Sequence, residues 1–415
     1  MGSLNNTGFV CVVMLLLVLG LILATYFLVQ SNRRAMVAKL WLAIFVTGFS
    51  YLVGDLLGGF FILKGINAET EPHPILHHLP RPNSTGHAYV PPDIDHFQEI
   101  NRHGLRGDNF EFSHPGGETR RILILGDSFA LGKGVEDDQT PARLLENKLT
   151  ERGHDVEVLN GGVNSHSPVL SHLLLQQHLA GLEVDLILYF FDMSDLRQEE
   201  SYRNIATFGP DGSVQAVPGV ADTSGLTNKI RDHIFQRHYF TTRLILWIKS
   251  SRLKKNGALS VSDIVETPSF ALLAHTIDRE STIDIAGGSH TTEGSAWEGV
   301  RDSIRGIRGE ARKRNAKLVI VTYPWGHQVG NDDTWHPGKL RFVPSEATID
   351  DRSREEITKI AKELELPLLD AFDTFRDPTI DVSELYFSHD LHWTIDGHLR
   401  MAEFLTPRVE ELLNQ

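Results

Sequence analysis

The chain has 415 residues, 41% hydrophobic and 23% charged, enough material for one large or two ordinary cores, which excludes a disordered protein. A formal charge of -14 excludes a binder of the nucleic-acid backbone, whose affinity rests on clustered Lys and Arg. The single cysteine, Cys11, rules out an intrachain disulfide and a cysteine metal site. The first element in chain order is the uncharged run from Gly8 to Val29, which at 1.5 Å per residue spans a hydrocarbon core of about 30 Å. A second run, Leu40 to Leu63, is nearly as apolar but holds Asp55 and four glycines. Both are expected to span, making residues 1–65 a membrane anchor. Arg33, Arg34 and Lys39 lie between the runs, whereas the first seven residues carry no Lys or Arg. That placement predicts a cytoplasmic loop, with everything after about Lys64 outside.

Residues 66–119 are rich in Pro, His and Asn and show no apolar period, so they read as a linker that hugs a domain surface. The histidines there, His73, His77, His78, His87 and His96, follow no metal-ligand spacing, and no metal is assigned. From Arg120 onward, short apolar runs alternate with amphipathic segments, the pattern of a parallel sheet with crossover helices. Strands are predicted at Ile122 to Leu125, Val156 to Leu159, Leu186 to Phe190, Leu318 to Thr322 and Leu368 to Leu369. Thr140 and Pro141 open one helix that stops at Gly153, Ala296 to Arg314 forms another, and Ile395 to Leu413 closes the domain. The stretch from Arg197 to Gly294 breaks the alternation and reads as an insertion, with a helical segment at Phe240 to Ile248. The domain is therefore residues 120–415 with an insertion at 197–294.

The first strand runs directly into Gly126-Asp127-Ser128-Phe129, which sets a serine at the carboxyl end of a parallel strand, where open α/β sheets place their sites. A helix begun just beyond it aims free backbone N–H groups at an oxyanion formed on a carbonyl attacked by Ser128. At the other end of the chain, Asp390 and His392 precede the last helix. His392 can take the Ser128 proton and Asp390 can hold the imidazole tautomer. His389 and His398 lie nearby and read as solvated or capping residues. Trp325, in the segment Thr322 to His327 after a predicted strand, lies on the same rim and can stack on a sugar ring or simply cover the strand ends.

With these residues in hand, the chain from Arg120 to Glu411 resembles the SGNH/GDSL hydrolase superfamily. ILILGDSFALGKGV is similar to the first block, with the nucleophile at Ser128. VLNGGVNSHSP is similar to the second, whose glycine lends a backbone N–H to the oxyanion hole and whose place Ser165 takes here. LILYFFDMSDL is similar to the third, where Ser194 stands in place of the usual Asn. DLHW resembles the last block, with Asp-x-His in place of the common Asp-x-x-His. That shorter spacing followed by Trp is similar to membrane-associated and periplasmic acetyltransferases that modify alginate and related exopolysaccharides. The resemblance implies a flavodoxin-like three-layer α/β fold behind the membrane hairpin and no cofactor. It also implies a triad of Ser128, Asp390 and His392 and an oxyanion hole drawn from Ser128, Ser165 and Ser194. Since a serine hydroxyl reaches less far than an Asn amide and donates once, Asn164 is a second candidate donor, and with Trp325 a candidate substrate contact.

The function expected is a serine esterase or O-acyltransferase acting on acyl, chiefly acetyl, esters of a cell-surface or exported polysaccharide. It would sit in a bacterial inner membrane with the catalytic domain periplasmic or extracellular. Two alternatives stand beside it: a catalytically weak membrane-tethered glycan-binding or assembly protein, and a lipid esterase.

Overall fold

A computed structural model of the chain describes residues 26, 30, 34–61, 70–90, 93–219, 241, 293–329, 351–387 and 390–414. The first apolar run, apart from Tyr26, and the segment Phe240 to Ile248, apart from Thr241, lie outside the described residues, as does His389. Helix α1 (Arg34–Phe61) covers the second apolar run as far as Phe61, the last described residue there. The sequence reading put a loop through Arg33 to Lys39, but the helix already begins at Arg34, because Ala35, Met36, Ala38 and Lys39 are strong helix formers. Its stretch Ala35–Leu57, with a mean hydropathy of 1.8, is long and apolar enough to cross a membrane. Leu42, Phe45, Val46 and Phe49 are exposed, whereas Asp55 is buried. Its carboxylate accepts the Thr241 N–H at 3.1 Å and the Thr241 hydroxyl at 2.5 Å. Those bonds offset the cost of burying a carboxylate.

The segment read as a linker is folded. Strands β1 (Thr70–His73) and β2 (His77–Pro80) form one antiparallel hairpin, and β3 (Ser84–Val90) and β4 (Ile94–Ile100) a second. Leu76, Leu79, Leu105 and Phe110 join the core of the following domain. Along β4 burial alternates strictly, covering Ile94, His96, Gln98 and Ile100. Two of those four inward residues are polar, so a count of apolar residues misses a genuine period of two.

The remaining strands of the core are β5 (Arg120–Gly126), β6 (Val156–Gly162) and β7 (Leu186–Phe191), then, after the small hairpin β8 (Thr207–Phe208) and β9 (Val214–Ala216), β10 (Lys317–Thr322) and β11 (Leu368–Asp370). These five strands pair in the order β11-β10-β7-β5-β6, all parallel, with β7 central and β5 between β7 and the edge strand β6. Counted by position in the sheet, that is the flavodoxin-like doubly wound order. Both faces are covered, which is why the strands read as unbroken apolar runs. Leu123, Leu125, Ile187 and Tyr189 face one core with α4 (Pro168–Leu173), α6 (Glu293–Lys313) and α7 (Arg352–Glu363), while Ile122, Ile124, Leu188 and Phe190 face the other with α3 (Pro141–Glu151) and α8 (Ile395–Leu413). Each such side chain contributes roughly 1.5 to 3 kcal/mol by leaving water. Thr140 caps α3 through the Arg143 N–H, with Pro141 in the first turn, as its sequence predicts. The insertion starts later than expected: α5 (Asp195–Ile205) and the β8–β9 hairpin pack on the domain, with Tyr202, Val214 and Val217 in its core. Residues 220–292, Thr241 excepted, fall outside the described set.

Candidate active site

Strand β5 ends at Gly126 and Asp127 caps the one-turn helix α2 (Ser128–Leu131), whose first residue is the candidate nucleophile. That helix sits hard against the end of β6. A Cβ at Gly162 would come within 2.2 Å of the Leu131 nitrogen, so only glycine permits the approach. Near the other end of the chain, the loop before α8 is fixed by the Phe387 N–H to the His392 carbonyl at 3.0 Å and by Thr394 capping α8. The parallel sheet thereby brings together side chains 264 residues apart in sequence: the Ser128 hydroxyl lies 2.6 Å from His392 Nε2. His392 Nδ1 in turn bonds the Asp390 carboxylate, which also accepts the His392 N–H at 3.1 Å. Asp390 and His392 are buried, and the imidazole packs against Phe129 with ring centroids 4.9 Å apart. With Nδ1–H donated to Asp390, the Nε2 lone pair is free to receive the Ser128 proton.

Beneath Ser128 lies a set of buried carboxyls that sequence reasoning did not assign. Asp127 accepts the Phe129 N–H at 2.8 Å and the Tyr323 hydroxyl at 3.4 Å. Its carboxyl is pushed well above the ordinary carboxylate range, first by burial and then by the charge of Asp192. Burial likewise raises Asp192 and Asp195. Asp192 organises two residues that the sequence placed in the site. Its Oδ1 accepts both the Ser194 N–H at 2.7 Å and the Ser194 hydroxyl at 2.6 Å, and its Oδ2 accepts the Trp325 indole N–H at 2.8 Å. Ser194 therefore does not stand as an oxyanion donor, because its one hydroxyl proton is committed to a carboxylate. Trp325 is 5% exposed and part of the core, so it offers no face to a sugar. His398 is likewise a core residue, fully buried on α8 against Trp393.

The loop after β6 is placed differently. Ser165 has φ +58°, a left-handed conformation that glycine adopts freely and serine rarely. The Tyr202 hydroxyl donates to its carbonyl at 3.0 Å. Asn164 is half-buried, and its Oδ1 is covered without a hydrogen-bond partner. Just beyond, the fully buried Glu199 accepts the Ser167 hydroxyl at 2.9 Å, the Val169 N–H at 2.8 Å and the Ser303 hydroxyl at 2.5 Å. Burial pushes the Glu199 carboxyl up to about 7 against these bonds.

The two hairpins before the sheet cover this edge. His77 and His78 are buried against Tyr202 and the Asn164 loop. Arg106 buries its guanidinium among the carbonyls that follow α2, reaching Gly132 and Val135 at 2.6 Å each and Leu131 at 3.3 Å, with Asp137 at 2.6 Å. The one sequence signal for these residues is their position beside buried apolar neighbours, Leu76 and Leu105. Among the described residues no cluster of three metal-ligating side chains occurs.

Neither a family model nor a curated protein matches the chain. Solved structures of similar shape are found. A lipolytic protein of the G-D-S-L family from Desulfitobacterium hafniense is 11% identical over 69% of this chain and 98% of its own, with a TM-score of 0.36. A two-domain esterase active on acetylated mannans, crystallised with mannopentaose, is 12% identical over 72% of this chain and 51% of its own, at 0.37. An esterase from Pseudoalteromonas sp. is 11% identical over 71% of this chain and 100% of its own, at 0.36. At such scores the likeness carries no argument about chemistry. The fold and the site define a class on their own geometry: a doubly wound α/β chain with a Ser, His and Asp constellation at the carboxyl edge of its parallel sheet, at the end of β5.

Proposed function

We propose that the chain is a membrane-anchored serine ester hydrolase or O-acyltransferase acting on acetyl esters of a cell-surface or exported polysaccharide. The observation that carries this reading is the 2.6 Å contact between the Ser128 hydroxyl and His392 Nε2, with Asp390 on the opposite ring nitrogen. In the reaction, Ser128 Oγ forms a bond to the acyl carbon as its proton passes to His392 Nε2. The carbonyl oxygen takes the negative charge and accepts the Ser165 N–H, with the Asn164 side-chain amide as a second donor. Collapse of the adduct breaks the ester C–O bond, and His392 returns the proton to the departing sugar hydroxyl. Water or a second hydroxyl then attacks the acyl-Ser128 by the same steps, so hydrolysis and transfer share one site. The apolar α1, which ends at Phe61, supports anchoring to a membrane. The charge placement around Arg33 to Lys39 supports a catalytic domain outside a bacterial inner membrane.

One observation favours a second reading, a catalytically weak tethered glycan-binding protein: Ser194 is tied to Asp192 and gives the oxyanion nothing. Turnover of p-nitrophenyl acetate by the full chain in detergent, repeated with an oligosaccharide acceptor, separates the readings. The hydrolase or transferase reading expects burst release of nitrophenolate and labelling at Ser128 by a fluorophosphonate. No turnover and no labelling would leave the binding reading in front.

A further inference from the structure

The β1–β2 hairpin meets the domain at one peptide. His78 Nε2 lies 2.7 Å from the Asn164 carbonyl oxygen. A carbonyl only accepts, so Nε2 carries the hydrogen. His77 Nδ1 lies 2.8 Å from His78 Nδ1, and since the His78 proton is on Nε2, His77 must be the donor there. The pair is thus a directed relay, from His77 to His78 to the Asn164 oxygen. It requires a neutral His78, and burial, reinforced by His77, lowers that imidazole to about 3.

The Asn164 carbonyl and the Ser165 N–H belong to the same planar trans peptide, pointing in opposite directions. Whatever fixes the oxygen fixes the N–H, and a donor on the oxygen polarises that N–H. The next carbonyl, on Ser165 itself, is fixed by Tyr202, so both peptides flanking the left-handed Ser165 are held. The Ser165 N–H has no hydrogen-bond acceptor among the described residues.

We infer that His78, oriented by His77, is a positioning residue that aims the Ser165 N–H as an oxyanion donor, an inference that rests on the ester-hydrolase reading. The hairpin begins at Thr70, nine residues after Phe61 in the apolar helix α1, so the strap that aligns the oxyanion donor also follows the proposed anchor in sequence.

The test uses the full chain in detergent with p-nitrophenyl acetate and a fluorophosphonate. Loss of an oxyanion donor costs roughly 10² to 10³ in rate, and misalignment of one should cost about 10- to 100-fold. His78→Phe keeps the ring and removes the donor; it should lower kcat by that factor with KM within about twofold, and slow fluorophosphonate labelling in proportion. His78→Gln, whose amide nitrogen reaches the place of Nε2, should restore kcat to within about threefold of wild type. A folded His78→Phe with unchanged kcat, or one whose KM rises as much as its kcat falls, overturns the inference. If His78→Phe does not fold, Tyr202→Phe, which removes the α5 hydroxyl that holds the Ser165 carbonyl, should lower kcat about fivefold at constant KM, and an unchanged kcat overturns it. A wild type that neither turns over nor labels sinks the hydrolase reading itself, a different signature from an active enzyme indifferent to His78.

Discussion

Two loops bring reacting groups to the carboxyl edge of the sheet, and they are held by opposite means. The loop with Asp390 and His392 is gripped by aromatic packing: Trp393 is wholly buried against Phe129, Tyr323 and Phe375, and the His392 ring lies on Phe129. The loop with Ser165 is gripped by buried polar groups, His78 and Tyr202 on its carbonyls and Glu199 on the residues that follow. The contrast suits the tasks proposed for the two loops. A base needs a ring held in a plane, which dispersion contacts supply without direction. An oxyanion donor needs an N–H aimed along a line, and only hydrogen bonds fix a peptide that way.

The largest effects should come from the aromatic side of that comparison. Ser128→Ala and His392→Ala should each lower kcat by on the order of 10⁵ to 10⁶, and the double variant should be hardly worse, because the members act as one unit. Asp390→Asn should leave the fold intact and lower kcat by about 10⁴, since the amide favours the wrong tautomer of His392. Additive losses in the double variant would break the triad assignment. The polar side should respond in stability as well. Arg106→Met leaves the carbonyls of Gly132 and Val135 without their donor, and Leu131 with only the Asn160 amide, and should cost about 3 to 5 kcal/mol in urea unfolding. A loss below about 1 kcal/mol would mean that apolar packing alone holds the turn after Ser128.

Glu199 sharpens the comparison through pH. Its folded value of about 7 lies above the ordinary 4.5, so the folded state binds a proton that the unfolded state has released over that interval. The stability it contributes is complete below about 4.5 and is lost as pH rises through about 7. At 1.36 kcal/mol per unit, the loss is up to about 3 kcal/mol. Glu199→Gln should remove this slope, so that the difference in unfolding free energy between wild type and variant changes from pH 4.5 to 8. Taking the difference cancels His77 and His78 of the strap and His166 of the loop they cover, whose lowered values act in the opposite sense, destabilising the fold as pH falls below 6.5. A difference that stays flat would mean that Glu199 remains ionised in its pocket.

The half of the site that was legible in the sequence is the half built on apolar periodicity. ILIL before Gly126 and LILYFF before Asp192 announce buried parallel strands, and strand-end placement then makes Ser128 and His392 meet. Residues 66–119 read as a linker in sequence because the inward positions among them carry His77, His78, His96, Gln98 and Arg106, residue types that pattern counts as surface. Nothing local tells a buried histidine from a solvated one when its partner, the Asn164 carbonyl, lies 86 residues away. The same blindness explains Trp325 and Ser194: both sit where strand ends belong, but Asp192 turns them inward, and a carboxylate's choice of partners is not a periodic signal.

Ser194 gives the smallest expected effect and the finest discrimination. A true oxyanion donor lost to alanine costs roughly 10² to 10³ in kcat, whereas a hydroxyl that only solvates a buried carboxylate acts at one remove. In Ser194→Ala the Asp192 carboxylate keeps the Ser194 N–H and the Trp325 indole N–H and loses one of three donors. Its carboxyl, already raised by burial, should then rise further and meet the loss by holding a proton, which moderates the cost. The expected result is a fall in kcat of less than about tenfold, with the Ser165 side of the hole unaffected. If Ser194→Ala instead matches the loss from His78→Phe, the hydroxyl must swing from Asp192 to the oxyanion during turnover. The division between an aromatic grip on the base and a polar grip on the single Ser165 loop would then have to include the end of β7 as a second source of donors.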